Sequence, residues 1–193
     1  MEEFKIWFFI GYKHIVNIQA LDHILFVLAL ATIYDLRMIK KLIVLITAFT
    51  IGHSITLILS TLEFITYNQK LVEFAIPITI AITCTSNIIK RNSFSNAKTF
   101  NRNYLLALFF GLIHGLGFSS YLKALLGKGS ILLQLFSFNI GLEVGQIIII
   151  SVFVFVSHWF SGLFFQKKSE WVMFVSSVIL GISLLLINNA KFW

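Results

Sequence analysis

Six stretches of about twenty residues, almost free of charge, run through this chain at approximately 15–35, 41–61, 71–89, 104–125, 131–160 and 171–189. A run of that length matches the roughly 30 Å hydrocarbon core of a bilayer at about 1.5 Å of rise per helical residue. Inside that core only helices and closed barrels satisfy their own backbone groups. Barrel strands are short and alternate in hydrophobicity, whereas these runs are long and continuous, so the chain reads as an all-α integral membrane protein. With 58% hydrophobic and 12% charged residues, against about 25% charged in soluble domains, a water-soluble globule is excluded. One polytopic domain over 1–193 is expected. Residues 1–14 form an interfacial segment in which Trp7 and Tyr12 suit the headgroup belt, and 15–189 form a bundle of about six helices.

The net charge of +7 comes from residues lying mainly between the apolar runs, a pattern of loop anchoring and not of nucleic-acid binding. The connections after the first, third and fifth runs hold Arg37, Lys40, Lys41, Lys90, Arg91, Lys98, Arg102, Lys167 and Lys168; the other side holds Lys5, Lys13, Lys70, Lys123, Lys128 and Lys191. The richer side stays cytoplasmic, so both termini are expected outside it. The acidic start, Met1-Glu2-Glu3, is unlike a signal peptide's basic n-region. Cys84, the single cysteine, lies in an apolar run where it reads as a small core residue. A short internal echo links FFIGYKH at 8–14 with FFGLIH at 109–114, and FTIGHS at 49–54 with FNIGLE at 138–143. In a six-helix topology these segments cross in opposite directions, as two inverted three-helix halves would.

Ionisable groups inside a span cost about 2.5–3.5 kcal/mol each on the insertion scale, so each needs a partner or a purpose. Here Asp22 and His23 lie in the first run, His53 in the second, Glu73 at the start of the third, His114 in the fourth and Glu143 in the fifth. Imidazole with carboxylate suits a divalent transition metal without naming which one. The expected topology places these groups between the outer face and mid-membrane. Helical spacing groups Thr50, His53 and Ser54 on one stripe, Asn139, Glu143 and Gln146 on another, and Glu73, Pro77, Cys84 and Asn87 on a third. Thr47, Thr56, Ser60 and Thr83 read as interhelical or back-bonded hydroxyls. Gly111-x-x-x-Gly115 and Gly141-x-x-x-Gly145 read as close-packing surfaces, and His158, beside Trp159, as an interfacial residue.

Taken in order, G-x-x-H-I (Gly11–Ile15), D-H-I-L-F (Asp22–Phe26), F-T-x-x-H-S-I-T-L (Phe49–Leu57), Val72-Glu73, G-L-I-H-G-L-G-F (Gly111–Phe118) and F-N-x-G-x-E-x-G-Q (Phe138–Gln146) resemble the HupE/UreJ family of membrane proteins. The sixth run carries no motif. The resemblance implies a small bacterial inner-membrane protein linked with hydrogenase or urease systems and acting as a permease for nickel or a related metal, with zinc, copper, cobalt or iron as other cargoes. It implies Asp22, His23, His53, His114 and Glu143 as metal-handling residues, and the helical stripes set Glu73, Asn139, Gln146, Ser54 and Thr50 beside them or along the path. One departure stands out: seven residues separate His14 from Asp22, where the family usually has five. On a straight helix at about 100° per residue His23 then points away from His14, which counts against His14 as a ligand.

A permease needs labile binding and a route to both sides, whereas an intramembrane zinc hydrolase needs a tightly held zinc with an open position. The same side chains serve either reading. A third reading has the buried charges pairing inside a non-catalytic membrane assembly subunit, alone or as a homo-oligomer. Transport is favoured, because the family suggests it and because the charged groups exceed what one catalytic zinc requires.

Overall fold

A computed structural model describes residues 1–18, 21–92, 97–126, 130–165 and 167–192, those at 97–102 by backbone alone. Lys128 lies outside the described residues, and nothing is described of the Lys98 and Arg102 side chains. Seven α-helices follow one another among those residues: α1 (Glu2–Val16), α2 (Leu21–Ala31), α3 (Ile39–Thr61, after a 3-10 turn at Leu36–Met38), α4 (Gln69–Lys90), α5 (Ala97–Leu125), α6 (Ile131–Phe164) and α7 (Lys168–Asn189). Five spans, beginning at Leu36, Gln69, Asn103, Ile131 and Lys168, are long and apolar enough to cross a membrane; α1 and α2 pass the same test only when taken together as one bent segment, which counts as a sixth span if it crosses. The chain is thus an all-α, multi-pass membrane protein.

The first run is not one helix. Asn17 leaves α1 with extended backbone (φ −71°, ψ 117°), and α2 restarts at Leu21 bent 72° from α1. The segment read as interfacial therefore belongs to a 15-residue helix that packs along α6. No Gly or Pro marks the break. At the restart Asp22 occupies the first turn of α2, where a carboxylate suits the positive end of the helix dipole, and its Oδ1 accepts from the His23 backbone N–H at 2.9 Å.

Three pairs carry most of the packing: α1 with α6, α3 with α5, and α4 with α7, while α2 lies against α4, α6 and α7. Two of these seams are built on glycine. A Cβ on Gly11 would lie 2.0 Å from the Phe138 carbonyl oxygen, and one on Gly141 2.0 Å from that of Phe8; on Gly52 it would lie 2.1 Å from the Leu108 oxygen, and on Gly111 2.2 Å from that of Phe49. Only glycine admits such an approach. Gly141 sits against Phe8 to Tyr12 and Gly145 against Tyr12 to Ile15, so α1 and α6 run in the same direction; Gly111 against Phe49 and His53, then Gly115 against His53 and Thr56, gives the same result for α3 and α5. Gly11 and His14 thus hold the places in one seam that Gly111 and His114 hold in the other, and Phe138 and Gly141 those of Phe49 and Gly52. The sequence echo falls on these two seams.

The interior is apolar where Phe26, Phe49 and Phe110 meet, with ring centroids 4.9 Å (Phe26–Phe49) and 5.9 Å (Phe26–Phe110) apart. Elsewhere buried polar groups are set among further buried apolar residues such as Leu42, Leu135 and Ile150, while large side chains such as Val152, Phe155, Leu184 and Leu185 face outward, as lipid contact requires. Thr56 donates across the seam to the Leu112 carbonyl at 2.7 Å, Ser60 bonds Ser119 at 2.8 Å, and Thr83 bonds back to the Thr79 carbonyl at 2.8 Å. Cys84 is buried.

Candidate functional site

The break between α1 and α2 brings four histidines together. His14, at the end of α1, lies 4.6 Å from His23 and 6.3 Å from His53, ring centre to ring centre. His23 lies 6.2 Å from His53 and 5.3 Å from His114. His53 and His114 are fully buried and His23 is 5% exposed. The straight-helix expectation separating His14 from His23 fails because α1 ends at Val16 and α2 begins at Leu21 on an axis bent 72° from it.

Hydrogen bonds fix two of the rings. Asp22 Oδ1 lies 3.1 Å from His23 Nδ1; a carboxylate only accepts, so this nitrogen carries the proton and Nε2 keeps its lone pair. Thr79 donates its one hydroxyl proton to the Ile76 carbonyl at 2.7 Å and therefore accepts from His114 Nε2 at 3.0 Å, leaving Nδ1 as the lone-pair nitrogen. His23 Nε2 and His114 Nδ1, together with His14 Nε2 and both ring nitrogens of His53, are buried without a hydrogen-bonding partner. An unsatisfied buried polar group costs about 1–3 kcal/mol, so this concentration in one cluster calls for a reason. The rings stand at 42° to 90° to one another. Among the described residues no three His, Cys, Asp or Glu side chains are set to hold one metal ion.

Phe118 covers the cluster, its ring 3.8 Å from that of His14 and stacked at 5.1 Å on Phe138. Beyond it, at the ends of α3, α4 and α5, lies a hydrogen-bonded polar group: Tyr67 bonds Ser119 and Ser120, and Gln69 donates to Glu73 at 2.9 Å and to the Gly117 carbonyl at 3.1 Å. Tyr67 sits in the connection before α4. Its phenol is held below the ordinary value: burial pushes it up, but hydrogen bonds from the serine hydroxyls and the Lys123 charge outweigh that. Glu73 is exposed here, away from the buried face that Pro77 and Cys84 share. Asn87, also on that face, donates to the Ala29 carbonyl at 2.8 Å and ties α4 to α2.

Glu143 stands on another face of α6. Its carboxylate accepts from Thr47 at 2.6 Å, and with Thr50, Ser54 and Asn139 it lines a cleft of about 280 Å³ between α3 and α6. Thr50 also donates to Gln146 Oε1 at 2.8 Å, while Gln146 Nε2 and Asn139 Oδ1 are buried without partners. The candidate residues therefore form two groups, His14, His23, His53 and His114 with Asp22, and Glu143 with the amides and hydroxyls. Helix α3 serves both, through His53 and through Thr47, Thr50 and Ser54.

Sequence reasoning passed over Thr79 and Phe118. Both carried a helical signal: Thr79, Thr83 and Asn87 recur every four residues along the buried face of α4, and Phe118 stands one turn beyond His114. No curated protein and no solved structure matched the chain. The HupE / UreJ protein family matches residues 1–189, a range that takes in the paired glycine seams, all four clustered histidines and Glu143, and this chain belongs to that family.

Proposed function

We propose that the protein is a permease for a divalent transition metal, nickel first, in a bacterial inner membrane. The observation that carries this reading is the buried cluster of lone-pair imidazole nitrogens without protein partners. Imidazole is a ligand suited to nickel, zinc and copper. Hydrogen bonds donated to Asp22 and Thr79 hold two rings and leave each a nitrogen without a protein partner, as outer partners of metal-ligating histidines do. The rings come from four helices and lie 4.6 to 6.3 Å apart, centre to centre, in the pairs that meet, near enough for one arriving ion to draw on more than one of them. Glu143, at the cleft between α3 and α6, supplies a second station with a carboxylate of its own.

Uptake of nickel into proteoliposomes tests this. Glu143→Gln keeps the shape and removes the charge, so uptake falls several-fold while thermal stability holds. Uptake also falls on acidification, because metal and proton compete for the same lone pairs. Absence of flux for any divalent transition metal, with histidine-dependent hydrolysis of a peptide or lipid, would replace the permease by an intramembrane hydrolase.

Orientation follows from the basic residues: nine lie on the side of the α6–α7 connection and six on the other. With Cys84 buried, single cysteines report cleanly. Lys167→Cys is expected to resist an impermeant maleimide in intact cells and react in inverted vesicles, and Lys70→Cys to do the reverse. Labelling of Lys167→Cys from outside would invert the topology.

A further inference from the structure

The end of the bundle remote from Tyr67 holds a cavity of about 550 Å³, formed where the α2–α3 connection meets the end of α6 and the start of α7. Its lining gathers hydrogen-bond donors. Arg37 reaches it from the 3-10 turn, His158 from α6, and Lys168 and Trp171 from α7. Ser157, 8% exposed, and the Trp171 indole nitrogen are buried there without hydrogen-bonding partners. Asp35, the one carboxylate of the lining, is already engaged: it accepts from the Arg37 backbone N–H at 3.0 Å and from Lys168 Nζ at 3.3 Å. The Arg37 guanidinium has no partner among the described residues. Arg37 and Lys168 against Asp35 leave the lining one net formal positive charge.

We infer that this cavity binds a phosphate group, presented by the headgroup of an anionic phospholipid. Arginine's planar fork matches phosphate oxygens, and the Ser157 hydroxyl and Trp171 N–H offer two further donors. A phosphodiester's single negative charge balances the lining. The apolar side chains of Leu36, Val154 and Phe165 in the same wall suit the glycerol and the first methylenes beneath the headgroup. The cavity lies on the side with more basic connections, where anionic lipids attract Lys and Arg. It shares no residue with the histidine cluster or the Glu143 cleft, so it stands or falls independently of transport.

The test uses the purified full chain in detergent, read by native mass spectrometry against phosphatidylglycerol and phosphatidylcholine. The wild type is expected to retain one phosphatidylglycerol at least about tenfold more strongly than phosphatidylcholine, the scale of a charge-assisted hydrogen bond. Arg37→Gln and Ser157→Ala erode that preference, and Lys70→Gln, exposed at the other end, leaves it intact. Inorganic phosphate, titrated by calorimetry, separates the sources. Phosphate binding that Arg37→Gln removes, without any lipid preference, keeps the phosphate site and assigns it to a soluble ligand. If Arg37→Gln and Ser157→Ala match the wild type in both assays, the site does not exist. Arg37 is exposed, so its replacement leaves the fold intact, which the thermal midpoint verifies.

Discussion

Replacing His53 and His114 together by alanine is expected to lower metal affinity by more than about 100-fold, since loss of outer partners alone costs about 10–100-fold. Both rings are fully buried, and in the proposed site each contributes a nitrogen with no other partner. Equilibrium dialysis with elemental mass spectrometry of the purified protein reads the change, with His158→Ala as a matched variant outside the cluster. Thr79→Val probes the same site more gently: it removes the acceptor at 3.0 Å that fixes the His114 tautomer while keeping the side chain's shape. Affinity then falls by a smaller factor with no loss of fold. Full retention of metal by the double alanine variant would sink the histidine site.

The second large effect concerns the fold. Gly111→Val would place a Cβ 2.2 Å from the Phe49 carbonyl oxygen, and Gly141→Val one 2.0 Å from that of Phe8. A helix backbone cannot give way as a flexible side chain does, so the paired helices must part. Overpacking costs about 1–3 kcal/mol and sometimes more; here the upper end or beyond is expected, seen as a thermal midpoint lowered by many degrees or as loss of folded protein. Gly162 and Gly181 have nothing within 4 Å of their missing Cβ. Gly181→Ala is therefore neutral or stabilising by up to about 1 kcal/mol, since alanine is the better helix former. Equal losses at Gly181 and Gly111 would show that backbone contact is not what the seam glycines provide.

What the sequence made legible follows from which interactions are local. Run length identifies spans because backbone satisfaction in lipid is a property of each segment by itself. Gly111, Gly115, Gly141 and Gly145 were readable as packing surfaces because small residues one turn apart make a flat face on any straight helix. His14 was misplaced because angular arithmetic presumes a straight helix, and the turn after Asn17 carries neither glycine nor proline. The placement of the two helices rests on tertiary contact, α1 along α6 and α2 against α4, α6 and α7. The separation of Glu143 from the histidines was illegible for a related reason. Spacing gives the face of α6 on which Glu143 stands, but not which neighbour meets that face, and Thr47 is 96 positions away along the chain.

The glycine seams also set the mechanics of the bundle. Where two backbones touch through glycine, sliding or tilting is blocked by the carbonyls themselves, so α1 with α6 and α3 with α5 behave as two stiff girders. The histidines lie between these girders, contributed by α1 on one side, by α3 and α5 on the other, and by α2 across the bend. There the contacts are ring against ring and hydroxyl against amide, which rotate and exchange partners at low cost. Any motion that widens a passage beside His53 must then divide the molecule along the join of the girders and leave the seams shut.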